Sequence, residues 1–402
     1  MQRQIPREDI SYFAVTNHRA RHVPFGIRQA DRLSHVYVIG KTGTGKSTLL
    51  ETLLAQDIDA GRGCCLIDPH GDLAERVVAR VPANRVGELT YVNIADPDQP
   101  YRYNPLTFVP PDKRSLVASG MMEVFQKMWP LAWGQRMEHI LRHTLLALLE
   151  CPDTTLADIS RLYTDKEFRA EVAGKLTNDQ VRQFWKKEYP AYNPRYRAEA
   201  VAPIQNKVGA LMADPRLFRF LTEPDNRLRL RRIMDQGQIL VINLSKGQIG
   251  EDSARMLGGL LVTALGLAAF SRADTPASER RPFYLYVDEF QNFTTLSVAN
   301  MAAELRKYGV GLILAHQYLH QLEPDVQHAV LGNAGTLVSF RLGAEDAPLV
   351  ARELAPPFID QDLLLLPNHN IYLKLMIDGE PSLPFSAQTI PQDQIPTAVL
   401  SR

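Results

Sequence analysis

The chain has little of what marks several familiar classes of protein. Its 402 residues contain three cysteines, too few for a disulfide framework, and Cys64 and Cys65 lie in an apolar run where we expect them to pack as thiols. Lys plus Arg equals Asp plus Glu, at 45 each, so no overall basic field indicates a nucleic-acid partner. A polyanion would therefore have to be bound by a local basic patch.

Long apolar runs are also missing. The longest, residues 256–270, has about 15 residues, whereas a membrane-spanning helix needs about 20. We therefore expect it to be a buried core helix, and the N-terminus lacks the apolar core of a signal peptide. Internal repeats and low-complexity blocks are absent, and the length indicates two to three domains. These features favour a globular protein of the reducing cytoplasm.

A glycine-rich loop is the clearest motif in the sequence. The stretch GKTGTGKS, residues 40–47, matches the spacing G-x-x-x-x-G-K-[ST]. It follows the apolar run 35–39 and precedes a helical pattern of leucines, which is the strand, loop and helix order of a phosphate-binding loop. A chance match in a flexible turn is the alternative. We predict that ATP is bound by Gly40, Lys41, Thr42, Gly43, Thr44, Gly45, Lys46, Ser47 and Thr48, with Lys46 on the phosphates and Ser47 on Mg²⁺.

Apolar runs recur along the chain in an α/β rhythm. They predict strands of a mostly parallel central sheet at residues 35–39, 63–68, 89–94, 239–244, 283–288, 311–316 and 336–342. Between them, residues 110–235 have helical spacing and scattered prolines, which predicts an inserted all-helical domain. The sheet domain would then comprise residues 1–109 and 236–402. The alternating run 371–376 indicates an edge hairpin, followed by an extended tail.

Two carboxylates end the apolar run at residues 283–287. In a phosphate-loop protein, Asp288 is expected to hold Mg²⁺ and Glu289 to orient and deprotonate the attacking water. Both roles belong at the carboxyl end of a strand, where α/β sheets bind ligands. Without the glycine loop, two solvated loop carboxylates would be the simpler interpretation.

Two further residues are candidates for the reaction. Gln317 ends the predicted strand 311–316, where its amide could sense the γ-phosphate, although it could also be an ordinary polar residue leaving a strand. Arg306 ends a predicted helix. It is either a cation stabilised by the helix dipole or an arginine finger that acts on a neighbouring subunit's site. The sequence physics leaves both alternatives open.

Other charged residues are weaker candidates. Asp68, in the segment DPHGD, either approaches the Mg²⁺ hydration shell or forms an Asp-Pro turn, and His70 belongs to no recognisable metal set. The densest basic cluster is a candidate DNA or subunit contact, with a solvated face as the alternative. It consists of Arg227, Arg229, Arg231 and Arg232.

The ordered set of motifs resembles a known family. GKTGTGKS, DPHGD, ILVINLSKG, VDEFQNF, RKYGVGLILAHQ and GTLVSFRLGAEDA are similar to motifs of the motor domain of type IV secretion coupling proteins, members of the HerA/FtsK superfamily of DNA-pumping ATPases. The resemblance extends from about residue 35 to 391. It implies a RecA-like core, a hexameric ring, and ATP-driven movement of DNA. It also implies that Arg306 is an arginine finger, that Gln317 is the sensor, and that Arg341 lies near the subunit interface.

The family carries membrane-spanning helices or a small β-barrel before the glycine loop. Only 39 residues precede Gly40 here, so we expect neither. The resemblance therefore implies a cytoplasmic DNA translocase of conjugative transfer, recruited to the inner membrane by partners such as a secretion channel or a relaxase. Two alternatives stay open: a HerA-like motor that partners a nuclease in DNA processing or defence, and an ATP-controlled scaffold that does not translocate DNA.

Overall fold

The chain folds into two compact units. A computed structural model describes residues 10–17, 22–107, 109–223 and 228–395. The first unit comprises residues 1–92, 231–244 and 268–402, and the second comprises residues 93–230 and 245–267. The predicted helical insertion, 110–235, differs from this second unit, which begins earlier and also takes in residues 245–267.

The strands of the described residues follow the apolar runs closely. They are β1 (Ile10–Thr16), β2 (Pro24–Arg28), β3 (Val36–Ile39), β4 (Gly63–Asp68), β5 (Leu89–Asn93), β6 (Ile239–Asn243), β7 (Phe283–Val287), β8 (Val310–His316), β9 (Thr336–Ser339), β10 (Asn370–Lys374), β11 (Met376–Ile377), β12 (Glu380–Pro381) and β13 (Phe385–Thr389). All residues of β3, β4, β6, β7, β8 and β9 are buried, which explains their continuous apolar character.

The helices divide between the two units. Those up to residue 244 are α1 (Gln29–Arg32), α2 (Lys46–Asp59), α3 (Asp72–Ala79), α4 (Arg114–Met128), α5 (Gln135–Glu150), α6 (Asp158–Thr164), α7 (Lys166–Lys175), α8 (Asp179–Gln183), a π-helical turn (Phe184–Glu188), α9 (Tyr189–Ala191), α10 (Pro194–Met212), α11 (Pro215–Thr222) and α12 (Leu230–Gln236). Those that follow are α13 (Lys246–Ile249), α14 (Glu251–Phe270), α15 (Leu296–Leu305), α16 (Pro324–Asn333), α17 (Ala347–Glu353) and α18 (Asp360–Leu365).

The first unit is built on one eleven-stranded sheet. Its strand order is β2-β1-β13-β10-β9-β3-β8-β7-β4-β6-β5. The strands from β9 to β6 run parallel, and β10, β13, β1 and β2 extend the sheet by antiparallel pairing. The predicted mostly parallel α/β sheet is therefore confirmed.

The predicted edge hairpin is wrong in one respect. Strand β10 does pair with β13 in antiparallel fashion, but both lie inside the sheet, because β1 pairs with β13 and β2 pairs with β1. The strand β13 also replaces part of the predicted extended tail. The edge next to these strands is β2, formed by residues for which the sequence pattern predicts no strand.

Helix α2 joins the glycine loop to the core of the first unit. Its leucines Leu49, Leu50, Leu53 and Leu54 recur at helical spacing and are at most 2% exposed. Near its other end, Asp57 forms an ion pair with Arg32, whose Nη1 lies 2.6 Å from Oδ1, and accepts a hydrogen bond from the Tyr286 hydroxyl. Both charged side chains are fully buried. This pair links the loop helix to β7, the strand that precedes the acidic pair.

The second unit consists mainly of helices α4 to α11 and most of α14. In the described residues, one helical segment, Glu251–Asp274, is long and apolar enough to cross a membrane. Of its most apolar stretch of 18 residues, 67% is buried inside the protein. Part of this packing is very close, since a Cβ on Gly120 would lie 2.7 Å from Thr263.

Candidate active site

The glycine loop lies at the carboxyl end of β3. Gly43 and Gly45 have φ angles of +75° and +120°, which residues with a Cβ adopt only with strain, so these two positions require glycine. The neighbouring strands hold the loop: Gly40 N–H donates to His316 O at 3.2 Å, and Lys41 N–H donates to Arg341 O at 2.9 Å. The loop thus leads into the N-terminus of α2, where unpaired backbone N–H groups attract anions.

Lys46 is the charged residue at the centre of this loop. Its Nζ donates to Gly40 O at 2.5 Å and to Lys41 O at 3.2 Å, and the residue is only 6% exposed. Burial lowers the pKa of Lys46, and the charges of Glu289 and Asp288 act in the opposite direction. The lysine and the acidic pair, 242 residues apart or more in the chain, are therefore brought into electrostatic contact.

The acidic pair follows β7, at the same end of the sheet. Asp288 is 6% exposed, and its pKa is raised to about 7 by burial and by the charges of Glu289 and Asp68. Glu289 has a left-handed backbone, with φ of +47°, and its N–H donates to Asp288 Oδ1 at 3.0 Å. A left-handed non-glycine residue directly after a strand is unusual and is typical of functional sites.

Gln317 joins the same site from the end of β8. Its Nε2 donates to Thr42 Oγ1 at 2.6 Å, so the amide contacts the glycine loop directly. Asp68 forms the predicted turn, since its carboxylate accepts from His70 N–H at 2.8 Å and from Ala74 N–H at 2.9 Å. The structure thus brings together four strand ends, those of β3, β4, β7 and β8.

The donors present fit a Mg²⁺ ion that arrives with a nucleotide. Within the described residues, no group of three or more His, Cys, Asp or Glu residues forms a metal site. Magnesium, however, is commonly held by one or two protein oxygens together with substrate phosphates. The Asp288 carboxylate and the Ser47 hydroxyl are suitable oxygens, and a cation would offset the repulsion that Glu289 and Asp68 exert on the buried Asp288 carboxylate.

The region of Arg341 contacts the glycine loop from another side. Arg341 Nη2 donates to Asn368 Oδ1 at 2.9 Å, and the next residue, His369, donates its N–H to Thr44 O at 2.8 Å. A Cβ on Gly45 would lie 2.9 Å from His369 Nδ1. Arg341 thus lies beside its own chain's loop. The sequence did not predict the contact between His369 and the glycine loop. His369 contacts the loop through its backbone N–H, and a backbone contact leaves no sequence motif.

Arg306 lies at the opposite end of the sheet. It borders a cleft of about 460 Å³ with Ser34, His35 and Gly335, which directly precede β3 and β9. The strand β3 alone separates this end from the glycine loop by about 13 Å, at 3.3 Å per residue. Arg306 is exposed, and no hydrogen bond or ion pair joins its side chain to another described residue. It therefore does not belong to its own chain's loop and acidic pair.

The residues of the basic cluster differ in exposure. Arg231 is held within the first unit, because its guanidinium contacts Asp235 at 2.5 Å, Ser271 at 3.0 Å and Asp274 at 2.7 Å. Arg232 is exposed and its Nε donates to Gln236 Oε1 at 3.2 Å. Arg229 is exposed, and Arg227 lies outside the described residues.

Family models match most of the chain. The model described as "Helicase HerA, central domain" matches residues 15–264, more than half of the 402 residues. The chain belongs to the HerA central-domain family. A second model, described as "TraM recognition site of TraD and TraG", matches residues 282–352 of this HerA-family chain. The resemblance to coupling-protein motors of the HerA/FtsK superfamily is thereby confirmed.

Solved structures resemble this HerA-family chain over most of its length. The plasmid coupling protein TrwB in complex with ADP and Mg²⁺ has a TM-score of 0.64 at 18% identity, over 91% of this chain and 86% of that one. VirB4 of Thermoanaerobacter pseudethanolicus has a TM-score of 0.63 at 15% identity, over 97% and 98%. These similarities confirm the RecA-like P-loop fold. No curated protein matches the sequence at a significant level.

Proposed function

We propose that this HerA-family chain is a Mg²⁺-dependent ATPase that drives DNA movement in conjugative, type IV secretion-like transfer. The observation that carries the proposal is the meeting of Lys46, the acidic pair and Gln317 at one end of the sheet. This arrangement can bind phosphates, hold a divalent cation and activate a water molecule. Two solved structures of one protein with this fold, TrwB with ADP and Mg²⁺ and TrwB with a non-hydrolysable ATP analogue, support ATP and Mg²⁺ as the ligands.

In the proposed reaction each residue of the site has one role. The Lys46 ammonium binds the β- and γ-phosphate oxygens. Asp288 and Ser47 would hold Mg²⁺, which would supply positive charge beside the phosphates. Glu289 accepts the proton of the attacking water, and Gln317 responds to the γ-phosphate through its contact with the loop. To reach phosphate, Lys46 exchanges its hydrogen bonds to Gly40 O and Lys41 O for the ligand.

We propose that the working form is a ring, a hexamer as in the implied family, in which Arg306 completes the neighbouring site. The support is geometric: Arg306 is exposed, lacks a partner among the described residues and lies at the end of the sheet away from its own acidic pair. An arginine in that position stabilises transition-state charge only if another copy brings its nucleotide there.

The proposed setting is the cytoplasm, with recruitment to the inner membrane by partners. The match of residues 282–352 to a TraM recognition region supports a protein partner on this part of the chain, and a secretion channel or a relaxase are the candidates. A HerA-like motor that serves a nuclease is a second candidate function, favoured by the match of residues 15–264. Co-purification of a nuclease, and not of transfer proteins, would favour this second function over DNA transfer.

The proposal is tested by measuring ATP hydrolysis with and without duplex DNA over a range of salt. The chain has no net charge, so DNA must be gripped by a local basic surface. DNA should therefore raise the rate, with little sequence preference, and the effect should fade steeply as salt increases, because phosphate contacts release condensed counterions. If duplex DNA does not change the rate of ATP hydrolysis at low salt, the scaffold alternative is favoured.

A further inference from the structure

The backbone around Arg306 is unusually well anchored for an exposed helix end. Helix α15 ends at Leu305, and a 3₁₀ turn, Arg306–Tyr308, follows it. Three side chains from other parts of the chain, His35, Arg272 and Arg280, donate to carbonyls of this helix end. Each one binds a backbone carbonyl of the segment 302–308, which we call the finger segment.

His35 anchors the start of the finger segment. Its Nε2 lies 2.6 Å from Ala302 O, and its Nδ1 accepts from Leu312 N–H in β8 at 3.0 Å. Because Nδ1 is an acceptor, the ring proton is on Nε2 and is donated to the helix carbonyl. Burial, together with the charge of Arg306, lowers the pKa of His35 to about 4, so this neutral tautomer is the form present at neutral pH.

Two arginines anchor the end of the finger segment. Arg280 Nη1 donates to Lys307 O at 2.5 Å, and its Nε donates to Arg272 O at 3.1 Å. Arg272, which is fully buried, donates from Nη1 to Tyr308 O at 2.8 Å. Gly309, with φ of +72°, then turns its own N–H back to Arg306 O at 3.1 Å.

These contacts hold the main chain on both sides of Arg306 and leave its guanidinium without a partner among the described residues. Holding three backbone carbonyls with three ordered side chains costs conformational entropy, and a surface helix end needs only water to satisfy its carbonyls. The arrangement is therefore more than helix capping requires. It is suited to a side chain that must be presented in one position.

We propose that His35 and Arg280 are positioning residues that fix the finger segment so that Arg306 reaches the nucleotide of a neighbouring copy. This inference rests on the proposed function, because it requires Arg306 to act in another subunit's site. Neither residue touches the reacting atoms. Their effect is on where Arg306 lies, and a displacement of about 1 Å in a group that acts on a transition state can cost about 100-fold in rate.

The chain offers a closely matched control for Arg280. The next residue, Arg281, also binds backbone carbonyls, but those of Gln236 at 2.9 Å and Gly61 at 2.8 Å, away from the finger segment. Arg280→Ala should therefore lower hydrolysis by about 10- to 100-fold, whereas Arg281→Ala should leave it unchanged. Arg280→Lys, which can still donate to Lys307 O, should recover part of the loss.

The sharper test places the variants in mixed rings. His35→Asn tolerates the left-handed backbone of residue 35, φ +67°, but is too short to join α15 to β8. A His35→Asn subunit keeps its own Lys46 and Glu289, so the intact Arg306 of a Glu289→Gln neighbour should restore its hydrolysis. Mixed with Arg306→Ala, it should stay slow, because neither subunit then presents a working arginine. Arg280→Ala should follow the same pattern.

A residue that merely stabilises the fold would not show this pairing. If His35→Asn and Arg280→Ala are rescued by neither partner, while wild type mixed with Glu289→Gln remains active, the positioning role is excluded. Full activity of both variants, beside an inactive Arg306→Ala that Glu289→Gln does rescue, would also exclude it and leave the proposed function intact. Full activity of Arg306→Ala would remove the proposed finger role of Arg306 and, with it, the positioning role, while the proposed ATP site would stand.

Discussion

The two ends of the central sheet differ in what they contain. The carboxyl end gathers Lys46, Asp288 and Glu289, which interact through their charges, and Gln317, which contacts the glycine loop at Thr42. The amino end presents Arg306, an exposed arginine without a side-chain partner among the described residues, on a backbone that other side chains hold in place. The residues of the carboxyl end are those that nucleotide binding requires. The amino end has a cation, Arg306, with no phosphate-binding loop beside it in its own chain. This difference is the reason for our proposal that Arg306 acts on the nucleotide of a neighbouring copy.

The largest expected effect concerns the carboxyl end. Lys46→Ala should abolish ATP turnover. Among the described lysines and arginines, only Lys46 donates to the loop carbonyls Gly40 O and Lys41 O, where it can bind the β- and γ-phosphates. Turnover by phosphate release and folding by thermal unfolding are the measurements. Lys41→Ala is the control in the same loop and should retain more activity, because the Lys41 side chain approaches Gly343, where an added Cβ would lie 3.5 Å from Lys41 Cε. A folded Lys46→Ala protein with normal turnover would contradict the assignment of this end as the site.

The next effect concerns the amino end. Arg306→Ala should lower hydrolysis by about 10³-fold or more if it acts as an arginine finger. It should bind ATP as tightly as wild type and unfold at the same temperature, because its side chain has no partner among the described residues. A fluorescent nucleotide titration and a melting curve check both points. A clear loss of stability without a loss of rate would make Arg306 a helix-end cation of its own chain.

The acidic pair tests the division of labour within the carboxyl end. Glu289→Gln keeps the size of the side chain but cannot accept a proton, so hydrolysis should fall by about 10²- to 10⁴-fold while Mg·ATP still binds. Asp288→Asn should instead weaken the Mg²⁺ dependence of binding, which a titration of Mg²⁺ against nucleotide affinity measures. The reverse outcome, with binding lost in Glu289→Gln and normal hydrolysis in Asp288→Asn, would exchange the two roles.

The smallest effect is a pH dependence at the amino end. The pKa of His35 is about 4 in the fold, against 6.5 in an unfolded chain, so the unfolded chain binds the extra proton first. The contribution of neutral His35 to the free energy of unfolding is fully present above pH 6.5 and is lost as the pH falls towards 4. Between pH 7.5 and pH 5 the free energy of unfolding should fall by about 2 kcal/mol. Urea unfolding at both pH values should show a smaller drop for His35→Asn than for wild type.

Arg306 sharpens this last test, because its charge contributes to the lowered pKa of His35. In Arg306→Ala the drop in stability between the two pH values should be smaller than in wild type. Equal drops in all three proteins would mean that the imidazole of His35 is not held neutral between α15 and β8.

Several features followed from the sequence alone. The glycine loop, the seven apolar runs that form β3 to β9, and the acidic pair at the end of β7 are each encoded within a few consecutive residues. Burial of a strand requires apolar residues along it, and a phosphate loop requires glycine at fixed spacing, so both leave local patterns. The resemblance to the HerA/FtsK superfamily rested on the same local motifs in their order, and the HerA central-domain model matches residues 15–264.

The tertiary structure decided which distant segments meet. Ala14 pairs with Thr389, which places β10 and β13 inside the sheet, and residues 245–267 join the helical unit. His35 and Arg280 reach the finger segment from other elements, and His369 reaches the glycine loop through its backbone. Local periodicity reports only that a residue is buried or exposed. Which strand pairs with which, and which residue accepts a given hydrogen bond, depends on packing across the whole chain. Such pairings between distant residues leave no pattern in the local sequence.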